Sequence, residues 1–457
     1  MIPVPFLKGK RVLVMGLGKS GTATSRALLA AGAGVMAWDD GEAARKTAAE
    51  AGIPIRDPAL IPMEKADLLV WSPGIPHTHP QPHPVAEKAR AAKVPLVCDV
   101  ELLALAKAGA RMLAVTGTNG KSTTTTLLAH VLDECGVPVA AGGNLGTPAL
   151  DLPELPGDGR YVLELSSYQL ELTNSLKLGV AILLNVTPDH LGRHGGMSGY
   201  IAAKRRVFDY LTPGGAAVIG IDDGPCRAIA AELSRLGVRV VKISVESVLS
   251  EGVSAPEGVL LDNAKPVCDL KAIPSLPGRH NWQNACAVYA AARAEGLAPK
   301  AIAAALATYP GLGHRQELVG SDHGIDWIND SKATNADAVE KALVCYDHVY
   351  WIAGGQAKEG GIASLEKHFG RIQHAFLIGE ATESFAATLD GKVRFTRCAT
   401  LDKAVAAARN LAVSDSIPGA VVLLSPACAS WDQFKSFEHR GDTFRELVQA
   451  FTEGGGG

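Results

Sequence analysis

The chain has no apolar run near the ~18–20 residues that cross a bilayer, so no membrane span is expected. It also lacks paired cysteines. Eight are scattered, at 98, 135, 226, 268, 286, 345, 398 and 428, and none forms a Cys-x-x-Cys motif. That pattern argues against a zinc ribbon or disulfide frame and for a reducing cytoplasm. Charge of one sign is missing too: 44 Lys and Arg against 47 Asp and Glu leave a formal net charge of −3. Such a balance supplies no phosphate-neutralising excess, so no nucleic-acid partner is expected. Pro3 and Pro5 lead straight into Lys8, Lys10 and Arg11, without the apolar core of a signal peptide. What remains is 47% hydrophobic and 20% charged, the make-up of a soluble globular protein. At 457 residues it is too long for one core, and about three domains are expected.

Strand-like runs alternate with Ala-rich helical runs throughout, which predicts an α/β fold of three domains, each with a mainly parallel sheet. The expected divisions are 1–99 (Rossmann-like), 100–311 (ATPase-like, with a phosphate loop) and 312–457 (Rossmann-like). Strands are predicted at Val12–Met15, Val35–Trp38, Leu68–Trp71 and Pro95–Val97 in the first. The second has Met112–Val115, Tyr161–Leu165, Ala181–Val186 and Ala216–Ile219, then a helix at Asn281–Glu295. The third has Ile325–Ile328, Val349–Ile352, Ala375–Ile378 and Val421–Leu424. Nearly every chemically suggestive residue falls at or just after a strand end, where open parallel sheets bind ligands.

The most informative stretch is Thr116-Gly117-Thr118-Asn119-Gly120-Lys121-Ser122-Thr123, between an apolar strand and an apolar-faced helix. Glycines let backbone N–H groups curl around an anion, and the helix N-terminus adds its positive dipole end. Lys121 would reach the terminal phosphates and the Ser122 hydroxyl would meet Mg²⁺. The common pattern has a glycine six residues before the lysine; here that residue is Val115, so this is a variant loop. It reads as an ATP site.

Other residues are ambiguous taken singly. Gly16-Leu17-Gly18-Lys19-Ser20-Gly21, with Asp39 after the next strand, fits a dinucleotide fingerprint, yet the same turn serves any diphosphate. Glu164 ends an apolar strand and is either a paired or metal-bound carboxylate or an edge residue facing water. His190, in a loop, is either a ligand or merely solvated, and Lys204 reads most simply as one cation of a solvated helix face. Asp330-Ser331-Lys332-Ala333-Thr334-Asn335 gathers an acid, a cation and polar groups after a strand, where Ser331 or Asn335 could also cap a helix. Lys358, after Gly354-Gly355, is a loop cation or an anion anchor, and Ser425 to Asp432 has the small residues that admit a ligand to the backbone.

Together these motifs resemble the ATP-dependent Mur ligases of peptidoglycan synthesis. The likeness spans nearly the whole chain: Gly-Leu-Gly-x-Ser-Gly at 16–21, Ser-Pro-Gly-Ile-Pro at 72–76, and Thr-Gly-Thr-Asn-Gly-Lys-Ser-Thr at 116–123. It continues with Gly-Gly-Asn-Leu-Gly at 142–146, Glu-Leu-Ser-Ser-Tyr-Gln-Leu-Glu at 164–171, Asp-His at 189–190 and Tyr-Ile-Ala-Ala-Lys at 200–204. Asn-Asp-Ser-Lys-Ala-Thr-Asn at 329–335 and Leu-Ser-Pro-Ala-Cys-Ala-Ser at 424–430 are similar to the family's D-glutamate-adding branch.

The resemblance implies a cytoplasmic, monomeric ligase that joins D-glutamate to UDP-N-acetylmuramoyl-L-alanine through an acyl phosphate and a tetrahedral intermediate. It implies ATP and a pair of Mg²⁺ ions as cofactors, with Ser122, Glu164, His190 and a carbamylated Lys204 around the metals. Lys121 and Asn144 would steady the transferring group. Gly117 to Thr123, Asn284, Arg315 and Asp330 would bind ATP. Gly18, Lys19, Ser20, Asp39, Ser72, Pro73 and Gly74 would bind the UDP-linked substrate, and Lys332, Thr334, Lys358, Ser430 and Phe437 the D-glutamate. Carbamylation needs a neutral amine, and a lysine of ordinary pKa is under about 0.1% neutral near pH 7, so capture by metal would have to draw it forward. Four positions depart from the family pattern. Asp40-Gly41 stands where a hydroxyl and an arginine are expected near the uracil, Gly192 replaces an aspartate, and Lys19 replaces an apolar residue. The competing readings are a sister Mur ligase, a folylpolyglutamate synthase-like ligase, an NAD-dependent dehydrogenase using Gly16–Gly21, and a non-catalytic nucleotide switch.

Overall fold

The computed structural model describes residues 1–144, 146–357 and 360–452. The chain divides into two compact units, Met1–Leu270 with Asn281–Tyr309, and Lys271–His280 with Pro310–Gly457. Among the described residues there are three sheets, all mainly parallel.

The first unit holds two of them. Strands β1 (Arg11–Met15), β2 (Gly34–Trp38), β3 (Leu68–Trp71) and β4 (Leu96–Val97) form a parallel sheet in the order β2-β1-β3-β4. The continuous apolar run of β1, buried from Val12 to Met15, is what a parallel strand covered on both faces requires. The second sheet is built from β5 (Arg111–Thr116), β6 (Val139–Gly143), β7 (Arg160–Glu164), β8 (Leu178–Leu183), β9 (Leu211–Gly220) and β10 (Arg239–Ser244). Beyond these lie β11 (Val253–Ser254), β12 (Val259–Asp262) and β13 (Lys265–Asp269), giving the order β13-β12-β11-β10-β9-β8-β5-β7-β6. Among the described residues the antiparallel pairings of this sheet are β11–β12 and β12–β13. One continuous apolar cluster joins both sheets, from Val12 and Leu69 to Leu163 and Ile219.

The strand predicted over 181–186 ends early, at Leu183. The next residues leave the sheet to serve the phosphate loop: the Asn185 carbonyl accepts the Thr118 N–H (2.9 Å) and its side-chain oxygen accepts the Asn119 N–H (2.9 Å).

In the second unit β14 (Glu317–Asp322), β15 (Ile325–Asn329), β16 (His348–Gly354), β17 (Ile372–Ile378), β18 (Phe395–Ala399) and β19 (Ala420–Leu424) take the order β14-β15-β19-β16-β17-β18. Among the described residues the one antiparallel pairing of this sheet is β14–β15. Period-2 alternation divides the side chains between two cores. Ile328, Trp351 and Leu377 go to one, and Trp327, Tyr350, Ile352 and Phe376 to the other. Among the described residues no helix is long and apolar enough to cross a membrane.

Candidate active site

The phosphate loop follows β5 and enters the helix Lys121–Glu134. Val115 departs from the common pattern because it is still a buried strand residue, paired with Glu164 on one side and Ile182 on the other. Gly120 has φ +86° and sits so close to Asn284 that a Cβ would lie 2.3 Å from Oδ1, so only glycine fits. Asn284 itself is buried, accepting from Thr124 (3.1 Å) and donating to Asn281 (3.1 Å). Lys121 turns back over the loop, its Nζ donating to the carbonyls of Gly117 (2.9 Å) and Thr118 (2.8 Å). Ser122 is buried in the first helical turn and Thr123 half-buried beside it.

Glu164 ends β7 and is 2% exposed, which removes the water-facing alternative. Its Oε1 accepts from Asn144 Nδ2 at 2.7 Å, while the buried Oε2 has no hydrogen-bond partner among the described residues. Lys204, on the helix Met197–Arg205, is not on a solvated face: it is 2% exposed. Its Nζ donates to the Gly117 carbonyl at 2.7 Å and lies 4.7 Å from the Tyr200 ring centre. Burial, followed by the nearby Lys121 charge, draws its pKa down to about 7, against the ordinary lysine value assumed from sequence. Arg205 and Arg206 turn elsewhere, to Glu232 and Asp209 and to the carbonyls of Leu170 and Thr173. His190 is exposed, in the left-handed region at φ +51°, with its ring 5.5 Å from that of Tyr168.

Among the described residues no three His, Cys, Asp or Glu side chains cluster as a ready-made metal cage. Mg²⁺ does not need one, since it commonly takes one or two carboxylates together with phosphate oxygens and water. The unmatched Oε2 of Glu164 fits that donor set.

The other glycine loop lies over the first sheet. Gly16 has φ +93° and donates to the Trp38 carbonyl at 2.8 Å. Asp39 caps the turn, its Oδ2 accepting the Leu17 N–H at 2.7 Å. Gly18 and Lys19 are exposed and Ser20 half-buried. The Ser72–Gly74 turn follows β3, and Ser72 N–H donates to the Met15 carbonyl at 2.8 Å. At Asp40-Gly41 an arginine does come back, from elsewhere: Arg45 stacks 4.4 Å from the Trp38 ring centre and donates to the carbonyls of Asp39 and Asp40.

In the second unit, Asp330 is buried just past β15, with Oδ2 accepting from Ser425 (2.7 Å) and Oδ1 from the Gln316 N–H (3.2 Å). Burial raises its pKa to about 7, against those hydrogen bonds and the exposed Arg315, which pull it down. Lys332 Nζ rests 3.7 Å from the Phe437 ring centre, with Thr334 half-buried and Ser430 buried. Lys358 lies outside the described residues. Sequence reading missed Arg440, a fully buried side chain that donates to Ser331 Oγ (3.0 Å), Ser331 O (2.9 Å) and Cys428 O (3.1 Å). Burial lowers its pKa to about 10. It pins the two loops that hold Lys332 and Ser430, and its place in the polar run Glu438-His439-Arg440 gave no sign of burial.

Residues 115–292 match the Mur ligase middle domain, and residues 314–428 match the Mur ligase, glutamate ligase domain. The chain is 91% identical over 455 residues to the UDP-N-acetylmuramoylalanine–D-glutamate ligase of Paramagnetospirillum magneticum, covering 100% of both chains. It is 56% identical over 458 residues to the enzyme of that name from Rhodospirillum rubrum, covering 98% of this chain and 96% of the other. The fold is similar to that of the UDP-N-acetylmuramate–alanine ligase of Thermotoga maritima, with a TM-score of 0.60 at 19% identity over 96% of this chain and 99% of that one. A MurF structure from Acinetobacter baumannii gives a TM-score of 0.55 at 19% identity over 76% and 79%.

Proposed function

The chain belongs to the Mur ligase family, and from that premise we propose that it couples ATP cleavage to amide formation between UDP-N-acetylmuramoyl-L-alanine and D-glutamate. Family membership removes the dehydrogenase and the non-catalytic switch, and the full-length likeness to D-glutamate ligases favours this substrate over those of sister enzymes. Among structural observations, one supports the reading most directly. A buried carboxylate with an unmatched oxygen, Glu164, lies close enough for its charge to act on Lys204, whose amine meets the phosphate loop beside Lys121.

Two anions, a carboxylate and a triphosphate, have to approach for the first step. An oxygen of the L-alanyl carboxylate attacks the γ-phosphorus and the bond to ADP breaks, leaving an acyl phosphate. The D-glutamate amine then adds to the acyl carbon, and the tetrahedral adduct loses the amine proton to solvent and expels phosphate to leave the amide. Lys121 and Asn144 would stabilise charge on the transferring phosphoryl group, from fixed positions that need little reorganisation. Mg²⁺, when bound, neutralises phosphate charge; Ser122, Glu164, His190 and Lys204 are the residues that would hold it. With a pKa of about 7, roughly half of Lys204 is neutral near pH 7. Its nitrogen can bond the carbon of CO₂ and release a proton to solvent, which turns a buried amine into a second carboxylate. Asn284, Arg315 and Asp330 belong to the ATP part of this proposal. Lys19, Ser20, Asp39 and Ser72–Gly74 belong to the UDP part, and Lys332, Thr334, Lys358, Ser430 and Phe437 to the D-glutamate part. A cytoplasmic monomer, with domains at 1–99, 100–311 and 312–457, completes the proposal.

The test is phosphate release with UDP-N-acetylmuramoyl-L-alanine, ATP and Mg²⁺, adding D-glutamate, L-lysine or L-glutamate singly. Release with D-glutamate alone is expected; release with another amino acid moves the chain to a sister activity.

A further inference from the structure

The segment between His190 and the helix Met197–Arg205 is tied to the first sheet's loop at three places, twice directly and once through Glu171. Arg193 donates through Nη1 to the Gly74 carbonyl (2.8 Å) and through Nη2 to the Pro73 carbonyl (3.2 Å). His194 shares Glu171 with His77: His194 Nδ1 lies 2.8 Å from Oε1 and His77 Nε2 lies 3.1 Å from Oε2. His79 packs on the backbone of Gly195, where a Cβ would stand 3.1 Å from its Nε2. Tyr168 backs this segment, stacking on His194 (5.2 Å, 14°) and lying 4.5 Å under the Arg193 guanidinium. The following helix reaches the phosphate loop through Tyr200, whose hydroxyl is 3.1 Å from Thr118 Oγ1, and through Lys204.

The Arg193 contact has a geometric consequence. A trans peptide unit is planar, with its C=O and N–H pointing opposite ways. Holding the Pro73 carbonyl therefore aims the Gly74 N–H away from Arg193, and fixed turn N–H groups of this kind bind anions. A fork to two successive carbonyls fixes that direction in a way an apolar contact or a single ammonium cannot.

We propose that Arg193 is a positioning residue for the UDP-linked substrate: by gripping the Pro73 and Gly74 carbonyls it orients the Gly74 N–H toward that substrate and ties the turn to the segment bearing His190. The proposal rests on the reading of Ser72–Gly74 as part of the UDP site.

The experiment uses the full chain carrying Arg193→Ala or Arg193→Lys. D-glutamate-dependent phosphate release is followed while UDP-N-acetylmuramoyl-L-alanine, and separately D-glutamate, is varied. Lost charge-assisted hydrogen bonds give an expected rise of about tenfold or more in the KM for the UDP-linked substrate in Arg193→Ala. The KM for D-glutamate should stay within about twofold, and Arg193→Lys should fall between wild type and Arg193→Ala. An unchanged KM for the UDP-linked substrate overturns the proposal, as does a parallel rise in both KM values, the mark of general damage. Should Arg193→Ala fail to fold, Arg193→Lys carries the test, with a rise of about threefold expected and no rise overturning it. A wild-type enzyme silent with D-glutamate would instead sink the proposed function. In that case calorimetric binding of UDP decides the matter, about tenfold weaker in Arg193→Ala if the proposal holds and equal if it does not.

Discussion

Two loops of this protein share the triplet Gly-Lys-Ser at the start of a helix, at 18–20 and 120–122, yet their surroundings differ in charge and in shape. At the first, Lys19 is exposed and a carboxylate, Asp39, accepts a loop N–H. At the second, Lys121 is half-buried and two amines, Lys121 and Lys204, converge on the Gly117 carbonyl at 2.9 and 2.7 Å. An acid beside the first loop suits a hydroxyl-bearing ligand such as a ribose, whereas paired amines beside the second suit a polyphosphate. The glycines differ as well. Gly18 has an ordinary φ of −68° and open space around it, while Gly120 is left-handed and pressed against Asn284. One triplet thus stands in two settings of charge and shape, and its neighbours make the difference.

The strongest way to break this comparison is to remove each lysine. Lys121→Ala should lower phosphate release about 10²–10³-fold, the usual cost of losing one group that stabilises transition-state charge. Lys19→Ala should leave kcat alone and raise the KM for the UDP-linked substrate by at most about tenfold. Equal losses would show that the loops are less distinct than their surroundings imply. Glycine replacement tests the shape difference by thermal melting. Gly120→Ala should cost about 1–3 kcal/mol through strain and contact with Asn284. Gly18→Ala should stay within about 0.5 kcal/mol of wild type. Asp39→Asn sharpens the charge difference: the KM for the UDP-linked substrate should rise about threefold while that for ATP does not move.

The smallest effect extends the comparison to a carboxylate in the second unit. Asp330 also follows a strand, but burial raises its pKa from 3.8 to about 7. The folded chain then binds more protons here than the unfolded chain between about pH 4 and 7, so this group's contribution to stability falls as pH rises through that window. Asp330→Asn should remove the dependence. Its melting temperature relative to wild type should climb by a few degrees (about 2–4 °C) from pH 5 to 8, and a constant difference would refute the burial argument.

Much of the site was legible because phosphate loops are local. Glycine, lysine and hydroxyl residues act within a few positions of one another, between a strand and a helix that apolar patterning reveals. Glu164 and Asp330 were visible as acids at strand ends, though not as buried ones. Lys204 looked like a surface cation because its helix also carries Arg205, and nothing local says which of the adjacent cations turns inward. Arg193 and Glu171 were invisible as partners because 119 residues separate Arg193 from Gly74 and 94 separate Glu171 from His77. The phosphate-loop strand could be marked from its apolar run, but not the early end of β8, where Asn185 leaves the sheet to hold that loop.

The sequence alone determined the α/β alternation, the two glycine turns and the family resemblance, since periodicity, turn chemistry and motif spacing act over a few residues. The tertiary structure alone decided that Lys204 is buried with its pKa drawn down to about 7, that Arg440 pins two loops, and that Arg193 grips the turn at Pro73-Gly74. Desolvation and long-range hydrogen bonds depend on which distant segments close over a side chain, and only the folded chain brings those segments together.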